Sequence, residues 1–131
     1  MRKIFVDSNY VIDYLRGRAY TKDLIEKIKH KELEAHISAV TVFELHVGAL
    51  LSNDPRKRFE EIELLLNWVK VVDIDKEIMY IAAKIHVDLR RRGLTVGIED
   101  IIIAATSISV NIALLTDNKK HFANIHGLRL E

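Results

Sequence analysis

Short apolar runs alternate along this chain with longer segments whose apolar residues recur at helical spacing. Lys3-Ile4-Phe5-Val6, Ala35-His36-Ile37-Ser38, Val69-Lys70-Val71-Val72 and Ile112-Ala113-Leu114-Leu115 have the length and content of strands. Between them the pattern predicts helices. One covers 8–16, with Val11, Ile12 and Leu15 on one face and Gly17 ending it, and a second covers 21–30 on Leu24, Ile25 and Ile28. Others cover 41–51, 54–67 opened by Asp54-Pro55, 75–93 on Ile78, Ile81, Ala82, Ile85 and Leu89, and 98–109. A helical turn at 118–123 and an edge strand at Leu128-Arg129-Leu130 complete the reading. Strands that are short, mostly uniformly apolar and separated by helices mark a parallel sheet covered on both faces. The expected fold is α/β: a three-layer α/β/α domain with a short, mainly parallel central sheet, spanning 1–131 as one unit.

Composition narrows the chemistry. At 131 residues, 49% of them apolar and 30% charged, the chain suits one domain with its own core. It has no cysteine, which excludes disulfides, thiolate zinc sites and cysteine nucleophiles. Met1-Arg2-Lys3 precedes only the apolar run Ile4-Phe5-Val6, too short for a signal peptide or a membrane span, so a cytoplasmic location is expected. The net charge of +1 gives no global sign of nucleic acid. Local basic groups do occur, at Arg16 and Arg18, Arg56–Arg58, Arg90–Arg92 and Lys119-Lys120. Each alone reads as a solvated helix end; around an acidic centre they would grip phosphates. The six histidines show no ligand pair at helical spacing and read as ordinary surface or core residues.

Four polar signatures stand where elements turn: Asp7-Ser8-Asn9, Thr41-Val42-Phe43-Glu44, Glu99-Asp100 and Thr116-Asp117-Asn118. Each has a local explanation. Asp7 suits a helix cap, Thr41 and Glu44 fit a capping box, and Glu99-Asp100 suits the positive end of a helix. Asp117-Asn118 suits a turn. Two features favour a site. The helix opened by Asp100 continues Ile101-Ile102-Ile103-Ala104-Ala105, apolar around most of its circumference, and a carboxylate at the mouth of a buried helix is costly unless paired or metal-bound. Asp7, Ser8 and Asn9 also offer three oxygen-bearing side chains where a cap needs one, and hard divalent ions take such ligands. Segments following parallel strands meet at one sheet edge, where open α/β folds bind ligands.

The motifs then match a family. Phe5-Val6-Asp7-Ser8-Asn9 is similar to the strand that ends in Asp-Thr/Ser-Asn in PIN-domain ribonucleases, specifically the VapC toxins of VapBC toxin–antitoxin pairs. Ser38 to Gly48 resembles their Ser-x-x-Thr-x-x-Glu-Leu-x-x-Gly, Asp100 to Ala105 their Asp-x-x-Ile-Ala-Ala, and Thr116-Asp117-Asn118, with Phe122 after it, their Thr-x-Asp/Asn. Any one motif is weak; four in order are specific. The resemblance implies metal-dependent endonucleolytic cleavage of RNA by an activated water. It implies Asp7 and Asp100 as ligands of Mg²⁺, or Mn²⁺, and Glu44 as a further ligand or as the group that orients the water. Ser8, Asn9 and Thr116 would support them. Charge alone would favour Asp117, but register puts Asn118 at the fourth position and is followed here, with Asp117 a nearby reserve and three carboxylates left in the site. The resemblance also implies a cognate VapB-type antitoxin lying across the active-site groove, and a homodimer. Leu24, Ile28, Phe59, Ile62 and Leu66 offer an apolar stripe for such contacts, or else belong to the core.

Two other classes compete. A receiver-type phosphoacceptor domain shares the fold class and length but needs an acidic pair after the first strand, and Asp7 has no acidic neighbour. A non-catalytic RNA-binding module on the same fold is the second, against which stand acids at three matched positions.

Overall fold

Strand β1 (Arg2–Val6) sends Phe5 to one face of the sheet and Ile4 and Val6 to the other, and a separate apolar core has formed on each face. The computed structural model describes residues 1–131. Four parallel strands lie in the order β3-β2-β1-β4, where β2 is Leu33–Ser38, β3 Val69–Val72 and β4 Leu114–Leu115. Helices α1 (Ser8–Leu15), α2 (Lys22–Lys29), α3 (Ala39–Leu51) and α4 (Pro55–Leu66) pack Val11, Ile25, Ile28, Leu45, Ile62 and Leu65 on one face. On the other, α5 (Lys76–Arg91), α6 (Ile98–Val110) and α7 (Lys119–Phe122) enclose Phe5, Leu89, Ile103 and Phe122. The architecture is the expected three-layer α/β/α. No helix is long and apolar enough to cross a membrane.

Most element ends follow local chemistry. Asp54 caps α4 through Lys57 N–H with Pro55 at its first turn, and Asp75 caps α5 through Ile78 N–H. Gly93, at φ +69°, terminates α5, and α6 ends on Asn111 in the left-handed region at φ 57°.

The structure corrects several boundaries. Helix α3 begins at Ala39, capped by Ser38 through Val40 N–H, so the capping box expected at Thr41 and Glu44 does not form. Strand β2 starts earlier than expected, at Leu33. Its Glu34 reaches Lys70 of β3 at 2.8 Å and bonds His36, which together hold the carboxyl down at about 2. Strand β4 is confined to two residues, with Ile112 O, just before it, accepting from Ser107 Oγ. The expected last strand reduces to one bridge, Leu114 with Leu130. Of the proposed contact stripe, Ile28 and Ile62 are buried, and Leu24, Phe59 and Leu66 pack against the same core. The exposed apolar positions lie elsewhere. Phe43, Val47, Leu50 and Leu51 line α3, with Leu51 83% exposed, and Met79, Tyr80 and Val87 lie on α5.

Leu114 is fully buried on the short strand that supports the region around Asp7. Leu114→Ala should lower unfolding free energy by about 2–5 kcal/mol, as for other large-to-small core changes, read as a lower denaturant midpoint at unchanged slope.

Candidate metal centre

Asp7 leaves the carboxyl end of β1, a central strand of the sheet, and is 2% exposed. It occupies the cap position of α1, yet its side chain makes no capping bond. Instead Thr116 Oγ1, just beyond β4, donates to Oδ2 at 2.8 Å. The hydroxyl is itself held by Asn118 N–H at 3.0 Å. Asp7 Oδ1 is buried and has no partner. An orphaned carboxylate oxygen in a protein interior carries a desolvation cost that no hydrogen bond to that oxygen offsets.

Ser8, also buried, shares a 2.6 Å hydrogen bond with Thr41 and donates to Glu44 Oε1 at 3.0 Å. Thr41 and Glu44 therefore serve a tertiary contact between α1 and α3, which is why neither closes the helix end. Asp100, in the first turn of α6, bonds His121 Nε2 through Oδ2 at 2.8 Å. Since an ionised carboxylate only accepts, the imidazole donates.

Burial pushes the Asp7 carboxyl above its ordinary value of 3.8; the charge of Asp100 adds to the rise, while Thr116, the Ser8 amide and His121 oppose it. Glu44 is raised too, by burial first, then by Glu99, Asp100 and Asp7, with the Ser8 bond opposing. Four carboxylates thus share one electrostatic neighbourhood. Glu99 and His121 are the members that residue-by-residue reading left out of the site. The clue to Glu99 was its adjacency to Asp100; His121 had no signal beyond its place in the turn after β4.

Of the two candidates for the fourth position, Asp117 lies by Tyr10 and Tyr20, whose hydroxyl pKa values it helps to raise. Asn118 braces Thr116 with its backbone, and it lines a cleft of about 330 Å³ with Lys120, His121 and Asn124. Asn9 is exposed and takes part in none of these bonds. A second cleft, of about 480 Å³, brings Glu44 together with Arg16, Arg58 and the apolar side chains of Ile12, Leu15 and Leu45. The smaller cleft thus reaches His121, which bonds Asp100, and the larger reaches Glu44.

The donor set fits a hard divalent cation: carboxylates that repel one another, neutral hydroxyls bracing them, and one buried oxygen free to coordinate. No three Asp, Glu or His side chains as placed could hold one ion together.

The PIN domain family model matches residues 4–128. This chain belongs to the PIN domain family, among its VapC proteins. It is 32% identical over 130 residues to Ribonuclease VapC1 of Rickettsia felis, covering 97% of this chain and 93% of that one. It is 28% identical to the tRNA(fMet)-specific endonuclease VapC of Salmonella typhimurium, covering 100% and 98%. Among solved structures, the DNA-bound VapBC of Salmonella typhimurium superposes with a TM-score of 0.89 at 26% identity, covering 100% of this chain and 98% of that one.

The raised carboxyls make a prediction for this VapC chain without metal. A folded-state pKa above the unfolded value means that the folded state holds the proton longer. The stability contributed by Asp7 and Glu44 therefore falls as pH rises from 3.8 and 4.5 through their raised values. Asp7→Asn should remove the Asp7 share of that fall. In chelator, the variant should unfold at a higher temperature than wild type at pH 7, by about 1 kcal/mol or more of stability. The gap should close as the pH approaches 4. A variant less stable than wild type at pH 7 would contradict it.

Proposed function

We propose that this protein is a Mg²⁺- or Mn²⁺-dependent endoribonuclease, the toxin of a VapBC-type pair, which hydrolyses RNA phosphodiester bonds with water as nucleophile. One observation carries the reading. Asp7 is buried with one oxygen fixed by Thr116 and the other unpartnered, and burial, with the charge of Asp100, raises its proton affinity.

Asp7 and Asp100 would hold the cation, with Glu44 as a further ligand or, by its raised proton affinity, as the acceptor of a proton from water. A bound divalent ion would supply charge for the scissile phosphate and a lower pKa for water. The Ser8 hydroxyl orients Glu44 through Oε1, and Thr41 holds Ser8 in turn. Arg16 and Arg58 in one cleft and Lys120 in the other offer cations to the phosphates on either side of the break. The first cleft, walled by Ile12, Leu15, Leu45 and Ile62, also suits an amphipathic segment of a VapB-type antitoxin, which would thereby cover Glu44. The exposed stripe of Phe43, Val47, Leu50 and Leu51 supplies the apolar face that a homodimer needs.

The test is cleavage of a single-stranded RNA with Mg²⁺ and with chelator. Cleavage should require the metal, and Asp7→Asn should abolish it. Glu44→Gln should lower turnover at least a hundredfold, within the range of a lost proton acceptor, while its unfolding temperature stays within a few degrees of wild type. Undiminished turnover in either variant would defeat the assignment.

Light scattering tests the dimer. Wild type should run at twice the chain mass at micromolar concentration, and Leu51→Glu at once the chain mass. A monomeric wild type at high micromolar concentration would refute it.

A further inference from the structure

The segment that follows β4 reaches two of the acids in the same way. Thr116 Oγ1 donates to Asp7 Oδ2 and His121 Nε2 to Asp100 Oδ2, each at 2.8 Å. Each donor engages one oxygen of its carboxylate and leaves the other without a donor from this segment. Five residues apart, the pair are supplied by one turn and the short helix α7.

The His121 contact differs from the chain's other histidine–carboxylate pairs. His30 with Glu26 and His36 with Glu34 are local pairs within a few residues of one another, and His126 stands 3.8 Å from Asp88 with its side chain 75% exposed. His121 instead bridges α7 to the mouth of α6. Its position is anchored. Phe122, the next residue, is buried in the core and meets the imidazole edge-on at 5.5 Å between centroids, while His121 N–H bonds Asn118 O. An imidazole fixed in this way restricts the rotation of Asp100 about its side-chain bonds.

We infer that His121 is a positioning residue of the acidic centre: it holds Asp100 by Oδ2 so that the other oxygen is presented toward the space beside Asp7. The inference rests on the metal-centre reading above and adds a residue to it. Hydrogen bonds behind a ligating carboxylate fix its orientation, and losing one typically costs 10–100-fold in metal affinity. His121 does not touch the reacting atoms in this account; its effect passes through Asp100.

The probe is Mn²⁺, whose free-ion resonance signal disappears on binding, titrated into wild type, His121→Ala, His121→Gln, His121→Asn and Asp7→Asn. Unfolding temperatures of the same proteins are measured in chelator. Glutamine can place an N–H near the Nε2 position, whereas asparagine is too short to do so. The expected result is Mn²⁺ affinity 10–100-fold weaker in His121→Ala and His121→Asn and within a few-fold of wild type in His121→Gln. The metal-free unfolding temperatures of the Gln and Asn variants should be alike. Should the alanine variant not fold, the Gln–Asn contrast carries the test alone. Unchanged or tighter binding in His121→Asn, or equal weakening in Gln and Asn, would overturn the role of His121 while leaving the metal centre standing. A wild type that binds no Mn²⁺, or an Asp7→Asn protein that binds it equally well, would overturn the metal reading itself, and this inference with it.

Discussion

A carboxylate with one oxygen sealed from water and given no partner is the constraint around which this site is arranged. Asp7 stands at the end of a central strand, where two cores meet the sheet and solvent is excluded by the packing that stabilises the fold. Its neighbours do not neutralise it. Thr116 and the Ser8 amide lower its proton affinity, burial and Asp100 raise it, and the balance is upward. A protein selected for stability alone would place an apolar side chain or an amide here. Local conflict of this kind, in a domain otherwise consistent between sequence and packing, is the mark of a functional position.

The surrounding hydroxyls make sense on the same terms. Ser8, Thr41 and Thr116 are all buried and all hydrogen-bonded, so the polar groups that brace the acids carry no unmet cost of their own. They are neutral, and so fix Asp7 and Glu44 without supplying the positive charge that the cluster lacks. The one cationic side chain that lowers the proton affinity of Asp7 is His121, and it engages Asp100 through a single oxygen. The cluster is therefore braced but still short of positive charge, which is the condition in which a divalent ion binds to most effect.

Much of this was legible in the chain. The layers followed from strand-length apolar runs separated by amphipathic segments, and Asp7, Glu44 and Asp100 from short motifs at element junctions. What failed did so for physical reasons. Thr41 and Glu44 have the spacing of a capping box, but Ser38 caps first and Ser8, more than thirty residues earlier, claims both side chains. Leu24, Ile28, Phe59, Ile62 and Leu66 have helical spacing whether they face a partner or a core, and periodicity cannot separate the two. His121 was passed over because its partner lies 21 residues away on another helix, and no local pattern encodes that distance. The ambiguity between Asp117 and Asn118 was one of direction: adjacent residues of one turn face Tyr20 in one case and the His121 cleft in the other.

The central claim is that a divalent cation relieves the buried charge of Asp7, and thermal unfolding with and without Mn²⁺ tests it most directly. A ligand that binds only the folded state stabilises it by RT ln(1 + L/Kd), where L is the free ligand concentration, so the unfolding temperature climbs with ligand concentration. Wild type, less stable than Asp7→Asn without metal, should gain stability steadily as Mn²⁺ is added, and the variant should gain little. Equal gains in both proteins, or none in wild type, would contradict the account.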